Sequence, residues 1–246
     1  MQNFWVGEIV QTAAFAAIAY AGGLCVLFRN VKVNYTRKVN FFALYIIPLI
    51  VDRVFPFERT VATTVLRSVL AAAMLGVLWQ PIRTRVPLFQ TMFTSFDRPE
   101  DRPNTLLWLS TQIIAGYAVL IPMSMFFTRY GFSALIFIPV IIHGIGDGLA
   151  EPVGIRFGRH KYSTRTFLSR DRRHTRSYEG SACVLAVGIF AVLLFRNSFT
   201  TPEFIVALLT VPLLTTLAEA WSPHTWDTPY MFLVCGLSLA AVKLWI

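Results

Sequence analysis

Charge is scarce in this chain. Asp, Glu, Lys and Arg make up only 14% of its 246 residues, and acids are the rarer kind, 13 against 22 bases. A soluble domain ordinarily carries about 25% charged residues. With 55% hydrophobic residues and a mean hydropathy of +0.58, the deficit points to lipid as the solvent, and the length leaves room for one compact membrane bundle but not for a sizeable soluble domain beside it. Cysteine is nearly absent as well. Cys25, Cys183 and Cys235 lie in apolar stretches without ligand spacing; this excludes a disulfide framework and leads us to expect small, buried, inert thiols. Also missing are the His-Glu-x-x-His and zinc-type Cys patterns, the Gly-x-Ser-x-Gly elbow and a Walker-type phosphate loop, which removes the commonest metalloprotease, hydrolase and nucleotide-hydrolase readings. No fixed-period repeat or low-complexity tract is present. Met1 to Glu8 has no basic leader, so the first apolar run is expected to stay as a span rather than be cleaved.

What is there is a series of apolar runs. They lie near 4–28, 40–51, 60–80, 105–127, 131–150, 181–196, 203–220 and 229–246, against the roughly 20 residues needed to cross the hydrocarbon. The expected fold is all-α: a polytopic transmembrane helical bundle of seven to eight spans, one integral membrane domain over 1–246, with 40–51 the shortest run. Charge placement agrees with that count. If the N-terminus is outside, the loops 29–39, 81–104 and 151–180 share one face and hold 16 of the 22 Lys and Arg residues. Such asymmetry puts the basic face in the cytosol and accounts for the +9 net charge without a nucleic-acid partner. A bacterial inner membrane fits the compact length; an organellar or endoplasmic reticulum membrane fits as well.

In 29–39 and 81–104 the bases read as topological anchors that meet anionic lipid heads. The segment from Asp147 to Ser181 differs, because acids, bases and glycines are interleaved there. His143 and Asp147 are four residues apart and share a helix face, and an ionisable residue near membrane depth is a functional candidate by default. The plainer reading is an Asp at a helix end paired with a nearby Arg. Pro152 disfavours helix at Glu151, so the span is expected to end there. Gly144, Gly146 and Gly148 would permit close backbone approach by a ligand. In Gly154-Ile155-Arg156-Phe157-Gly158-Arg159-His160-Lys161, glycines would let backbone amides face an anion while the cations neutralise it, with phosphate the obvious candidate. Arg173 and Arg176 extend the basic set, and Ser177 is placed to cap a helix ahead of Glu179, Gly180 and Ser181. Asp147, Glu151, Glu179, Glu219 and Asp227 all fall on one membrane face, beside many bases. That composition suits Mg²⁺ held together with phosphate oxygens.

These residues resemble the phytol kinase and dolichol kinase group of CTP-dependent lipid kinases. That group's pattern is roughly Gly-Asp-x-x-Ala-x-x-x-Gly-x-x-Phe-Gly, then a basic residue, Ser/Thr, x, Glu-Gly-Ser/Thr. Here Gly146-Asp147-Gly148-Leu149-Ala150 leads to Gly154 and Phe157-Gly158, and Arg176-Ser177-Tyr178-Glu179-Gly180-Ser181 follows. Glu219-Ala220-Trp221-Ser222-Pro223 and Asp227 look like the phytol kinase stretch Glu-Ala-x-Ser-Pro followed by Asp. The likeness covers 143–227, the expected catalytic part. It implies Asp147, Glu179 and His143 as catalytic residues and Asp147, Glu151, Glu179, Glu219 and Asp227 as Mg²⁺ ligands. Gly154, Arg156, Gly158, Arg159, Lys161, Arg173, Arg176, Ser177, Gly180 and Ser181 would hold CTP. Relatives usually carry Asp at the place of Glu151 and often Lys at the place of Arg176; Arg still binds phosphate, with different geometry. The family's Arg-Lys-x-x-His is matched only as Arg37-Lys38, without the His, and 159–175 is unusually basic. CDP-diacylglycerol synthases share part of the pattern. The resemblance therefore implies CTP and Mg²⁺ more strongly than it implies the reaction. Three readings follow: a lipid-alcohol kinase, a cytidylyltransferase acting on a lipid phosphate, and a transporter that uses His143 and Asp147 as an intramembrane site.

Overall fold

A computed structural model describes residues 2–58, 60–165, 173–223 and 226–246, with the backbone alone at Val61, Arg165, Arg173 and His174. The described residues are mostly helical, with one two-stranded hairpin and short connections. Helix is what lipid demands, because a spanning segment must satisfy its own backbone polar groups. Five stretches are long and apolar enough to cross a membrane: Gln2–Arg29, Thr105–Arg129, Ser133–Phe157, Thr201–Trp221 and Asp227–Trp245. They are consistent with an integral membrane protein. The runs expected near 60–80 and 181–196 form shorter apolar helices, and the one near 40–51 lies inside a 22-residue helix that begins among polar residues. The chain divides into two compact units, Met1–Leu107 and Trp108–Ile246.

In the first unit, α1 (Gln2–Arg29) turns into α2 (Val33–Val54) through Asn30 at φ 53°, a left-handed position that asparagine tolerates better than most residues. Thr60 and Thr63 form a reciprocal capping box at the start of α3 (Val61–Gly76), satisfying two backbone donors that the helix leaves open. Arg67 of α3 reaches Glu8 of α1 at 2.6 Å and holds both carboxylate oxygens of Asp52 of α2 at 2.8 and 3.1 Å. One guanidinium thus ties three helices together. After α4 (Gln80–Arg83), α5 (Pro87–Thr94) packs on α1. It comes so close that a Cβ on Gly23 would run into the carbonyl of Thr91, and Ala19, Leu78, Met92 and Phe93 close a small core.

The second unit takes the body of α6 (Thr105–Arg129) and then a broken helix: a 3₁₀ turn Ser133–Ile136, α7 (Phe137–Ile141), a π-helical turn Ile142–Asp147, and α8 (Gly148–Phe157). An antiparallel hairpin follows, β1 (Lys161–Arg165) and β2 (Arg173–Ser177), with Tyr162 opposite Arg176. Next come α9 (Tyr178–Leu194), α10 (Thr201–Trp221) and α11 (Asp227–Trp245). Phe127, Leu135, Ile138, Ile142, Val184, Val192, Val211, Met231 and Leu239 fill the core. A Cβ on Gly188 of α9 would lie 2.9 Å from Pro212 of α10. This is small-residue packing of the kind that lets membrane helices approach closely. At the other end of α10, Lys243 binds Glu203 at 2.9 Å, and Glu203 in turn caps Thr200.

Two expectations change. The helix does not end at Glu151 but runs through Pro152 to Phe157. Pro152 comes about one turn after the π-helical turn, where the backbone ladder already changes register, so the missing N–H interrupts little that is continuous. Of the three thiols, only Cys235 is buried; Cys183 is half-buried and Cys25 exposed. An apolar run in a membrane chain has a lipid-facing side, and apolar surroundings in sequence do not imply burial by protein.

Candidate functional site

The polar residues of 143–227 meet where β2, the start of α9, the end of α10 and the start of α11 converge. Their centre is Arg176. Its guanidinium donates to the Glu219 carboxylate and to the Glu219 main-chain carbonyl. It also lies 3.4 Å from Asp227 Oδ2 and 3.5 Å from Ser222 Oγ. The carbonyl contact places a cation at the C-terminal end of α10, where the helix dipole favours positive charge. Burial alone would lower the Arg176 pKa. The charges of Glu219, Asp227 and Asp147 outweigh it and hold the pKa above the ordinary value. Arg176 is therefore one fixed positive charge among three carboxylates.

A hydroxyl chain leads away from this centre. Ser181 Oγ donates to Glu219 Oε2 at 2.9 Å and so accepts from the Tyr162 hydroxyl at 2.7 Å. Burial, with the Glu219 charge, pushes the Tyr162 phenol above its ordinary range. On the other side, Gln112 of α6 donates one amide proton to Asp227 Oδ1 at 3.1 Å and the second to Thr228 Oγ1 at 2.6 Å. Thr228 Oγ1 lies 3.2 Å from His143 Nε2, and His143 Nδ1 lies 3.9 Å from Asp147 Oδ2. His143 is buried and its ring stands edge-on to Phe232. The π-helical turn carries both His143 and Asp147; such turns recur at functional sites.

Glu179 stands apart from the Arg176 cluster. Its Oε1 accepts from the backbone N–H groups of Arg159 at 3.0 Å and His160 at 3.2 Å, and from His160 Nδ1 at 3.0 Å. Its own backbone amide lowers the carboxyl most; burial is the next influence and opposes it, and the His160 ring and these two amides bring it down to about 2. Glu179 thus pins the root of the hairpin to the start of α9.

The glycines have a packing role that sequence alone does not reveal. Ser177 caps α9, accepting from Gly180 N at 3.1 Å. A Cβ on Gly154 would lie 2.7 Å from Ser177 Oγ, one on Gly158 2.9 Å from Ser177 Cβ, and one on Gly180 2.7 Å from the Ala150 carbonyl. Gly154 and Gly158 admit Ser177 at the end of β2 against α8, and Gly180 lets the start of α9 approach the same helix.

Of the residues picked out by sequence, His143, Asp147, Arg176, Ser181, Glu219 and Asp227 share one network, and Glu179 lies on its flank. Arg156, Arg159 and Lys161 are exposed at the end of α8 and on the hairpin. Glu151 is half-buried on α8, one turn beyond Asp147. The Arg173 side chain lies outside the described residues. Among the described residues no three of His, Cys, Asp and Glu gather so as to hold a metal ion. Arg176 engages Glu219 and Asp227, and backbone amides engage Glu179, so these side chains as arranged do not fit Mg²⁺. Sequence reading passed over Gln112, Tyr162 and Thr228. Gln112 left a signal, as a lone amide in an apolar helix; Thr228 stood beside Asp227; Tyr162 left none.

No protein-family model, curated protein or solved structure matches this chain.

Proposed function

We propose that this chain is a CTP-dependent lipid-alcohol kinase. The single observation in support is that motif residues from separate stretches of the chain gather around Arg176, in an order and spacing that resemble the phytol and dolichol kinases. Glu219 and Asp227 are in contact with it, Ser181 is joined through Glu219, and the Asp147 charge lies close by. In this reading the hydroxyl oxygen of an isoprenoid alcohol or diacylglycerol attacks the γ-phosphorus of CTP. The bond from that phosphorus to the β-phosphate oxygen breaks, CDP leaves, and the alcohol proton passes to Asp147. Phosphoryl transfer asks for positioning and charge stabilisation more than for covalent help. Arg176 fixes the carboxylates, Glu179 fixes the hairpin, and the exposed Arg156, Arg159 and Lys161 neutralise the triphosphate. The resemblance also implies Mg²⁺; the residues here do not fit it, and no step is assigned to it.

We place the site on the cytoplasmic face, from the loop-charge asymmetry, in a multi-pass bundle that α2, α3 and α9 complete to eight spans. The test is product analysis. Purified protein receives labelled CTP, with and without Mg²⁺, together with a panel of prenols, diacylglycerol and lipid phosphates. Lipid phosphate plus CDP supports the kinase. CDP-lipid plus pyrophosphate replaces it with the cytidylyltransferase, and no turnover on any lipid removes both. Asp147→Asn should lower turnover by roughly 100-fold or more, the ordinary contribution of a positioned base; full activity in that variant sinks the role given to Asp147.

A further inference from the structure

Four polar groups on three separate stretches of chain form one file: Asp227 and Thr228 at the start of α11, Gln112 of α6, and His143 of the π-helical turn. We propose that Gln112 and Thr228 are positioning residues that hold His143 as its neutral Nδ1–H tautomer, facing Asp147. Two independent contacts lead to this. A neutral imidazole carries one proton, and the nitrogen nearer a carboxylate keeps it, because a lone pair turned towards that charge is repelled. The nitrogen nearer Asp147 is Nδ1, at 3.9 Å from Oδ2. Nε2 must then accept, and the group it meets at 3.2 Å is the Thr228 hydroxyl. That hydroxyl can donate to Nε2 because its oxygen already accepts from the Gln112 amide at 2.6 Å. Gln112 cannot reverse, since the second proton on the same nitrogen goes to Asp227 Oδ1 at 3.1 Å and a carboxylate offers only acceptors. The direction of the whole file is therefore set by Asp227 at one end and Asp147 at the other. His143 and Thr228 are both buried, so water does not compete for the arrangement.

The consequence for chemistry rests on the kinase reading. An imidazole N–H facing Asp147 Oδ2 orients the carboxylate that takes the substrate proton, and a contact long in the resting protein tightens when substrate arrives. Neither Gln112 nor Thr228 touches the reacting atoms; both act through His143.

Ring-nitrogen NMR of ¹⁵N-histidine-labelled protein decides the tautomer without reference to activity. The chain has four histidines, and His143→Asn identifies the signal that belongs to position 143. At about pH 8, where an ordinary imidazole is neutral, wild type should show a protonated Nδ1 and an unprotonated, hydrogen-bonded Nε2. Thr228→Val should give a mixture of tautomers or the opposite one, Thr228→Ser should restore the wild-type signal, and Gln112→Met should weaken the Nε2 hydrogen bond. In turnover, Thr228→Val should lower kcat by about tenfold to a hundredfold, in the range expected of a misplaced group, with KM for CTP little changed. A protonated Nε2 in wild type, or identical ring signals in wild type and Thr228→Val, overturns the proposal. The expected NMR pattern without any CTP turnover sinks the kinase reading and leaves the placement of His143 standing.

Discussion

Arg176 has only 12% of its side chain exposed, against 5% for Glu219 and 15% for Asp227. Removing one member of a buried ion pair leaves its partner's charge without compensation, which costs about 3–5 kcal/mol. Arg176→Ala should lower unfolding stability by that amount in a chemical-denaturation series. Arg176→Lys keeps the charge but cannot fork between Glu219 and Asp227, and should recover only part of the loss. The neighbouring glycines give a sharper test. Gly154→Ala would bring a methyl to 2.7 Å from Ser177 Oγ, an overpacking worth about 1–3 kcal/mol. Ser177→Ala gives up the cap of α9, about 1 kcal/mol, but removes the oxygen in the way. The double variant should therefore be less destabilised than the sum of the two single ones, and strict additivity would mean that the glycine is not there to admit Ser177. At this scale the sequence was partly legible. Residue types and spacing singled out Asp147, Arg176 and Glu219, because charges in an apolar chain need partners. They did not reveal that Arg176 itself sits among the carboxylates, since ion pairing between distant residues depends on how helices converge. Tyr162 was illegible for the same reason.

The hairpin and the broken helix are the elements that position the site, and neither was read from sequence. The stretch 159–175 looked like a basic loop; its described ends pair as β1 and β2, anchored by Glu179. That anchor has a pH signature. The Glu179 carboxyl is held down to about 2, from an ordinary value of 4.5. A carboxyl depressed in the folded state stabilises fully above its unfolded value, and the contribution is lost as pH falls through the folded one. The hairpin root should therefore stay closed at neutral pH and loosen progressively between about 4.5 and about 2. Hydrogen exchange at the Arg159 and His160 amides follows this directly. Glu179→Gln, which offers a weaker neutral acceptor, should show the faster exchange already at pH 7; unchanged protection in that variant would assign the closure to the strand pairing alone. The π-helical turn was read as a regular helix face. His143 and Asp147, expected on one helix face, still lie on the same side at 3.9 Å, because residues four apart remain neighbours in a slightly wider turn.

On the scale of the whole molecule, composition foresaw the architecture well: little charge and long apolar runs leave helices as the way through lipid. Each of the eight apolar runs falls mostly in helix, yet only five stretches reach spanning length and hydropathy. The difference matters most at α9. Its 17 residues extend about 25 Å at 1.5 Å per residue, a little short of the roughly 30 Å hydrocarbon core. The 3₁₀ turn Arg196–Ser198 follows it at one end, and the hairpin stands at the other. If α9 crosses, Lys161 and Arg196 lie on opposite faces; if it does not, the eight-span count fails, and with it the cytoplasmic address proposed for the site. Single cysteines at Lys161 and Arg196, in a chain whose three native cysteines are replaced by Ala, report this directly. A membrane-impermeant maleimide should label Arg196→Cys only from the extracytoplasmic side of sealed vesicles and Lys161→Cys only from the cytoplasmic side. Labelling of both from one side would make α9 a re-entrant or interfacial helix. The polar network around Arg176 would then need a different route to its nucleotide.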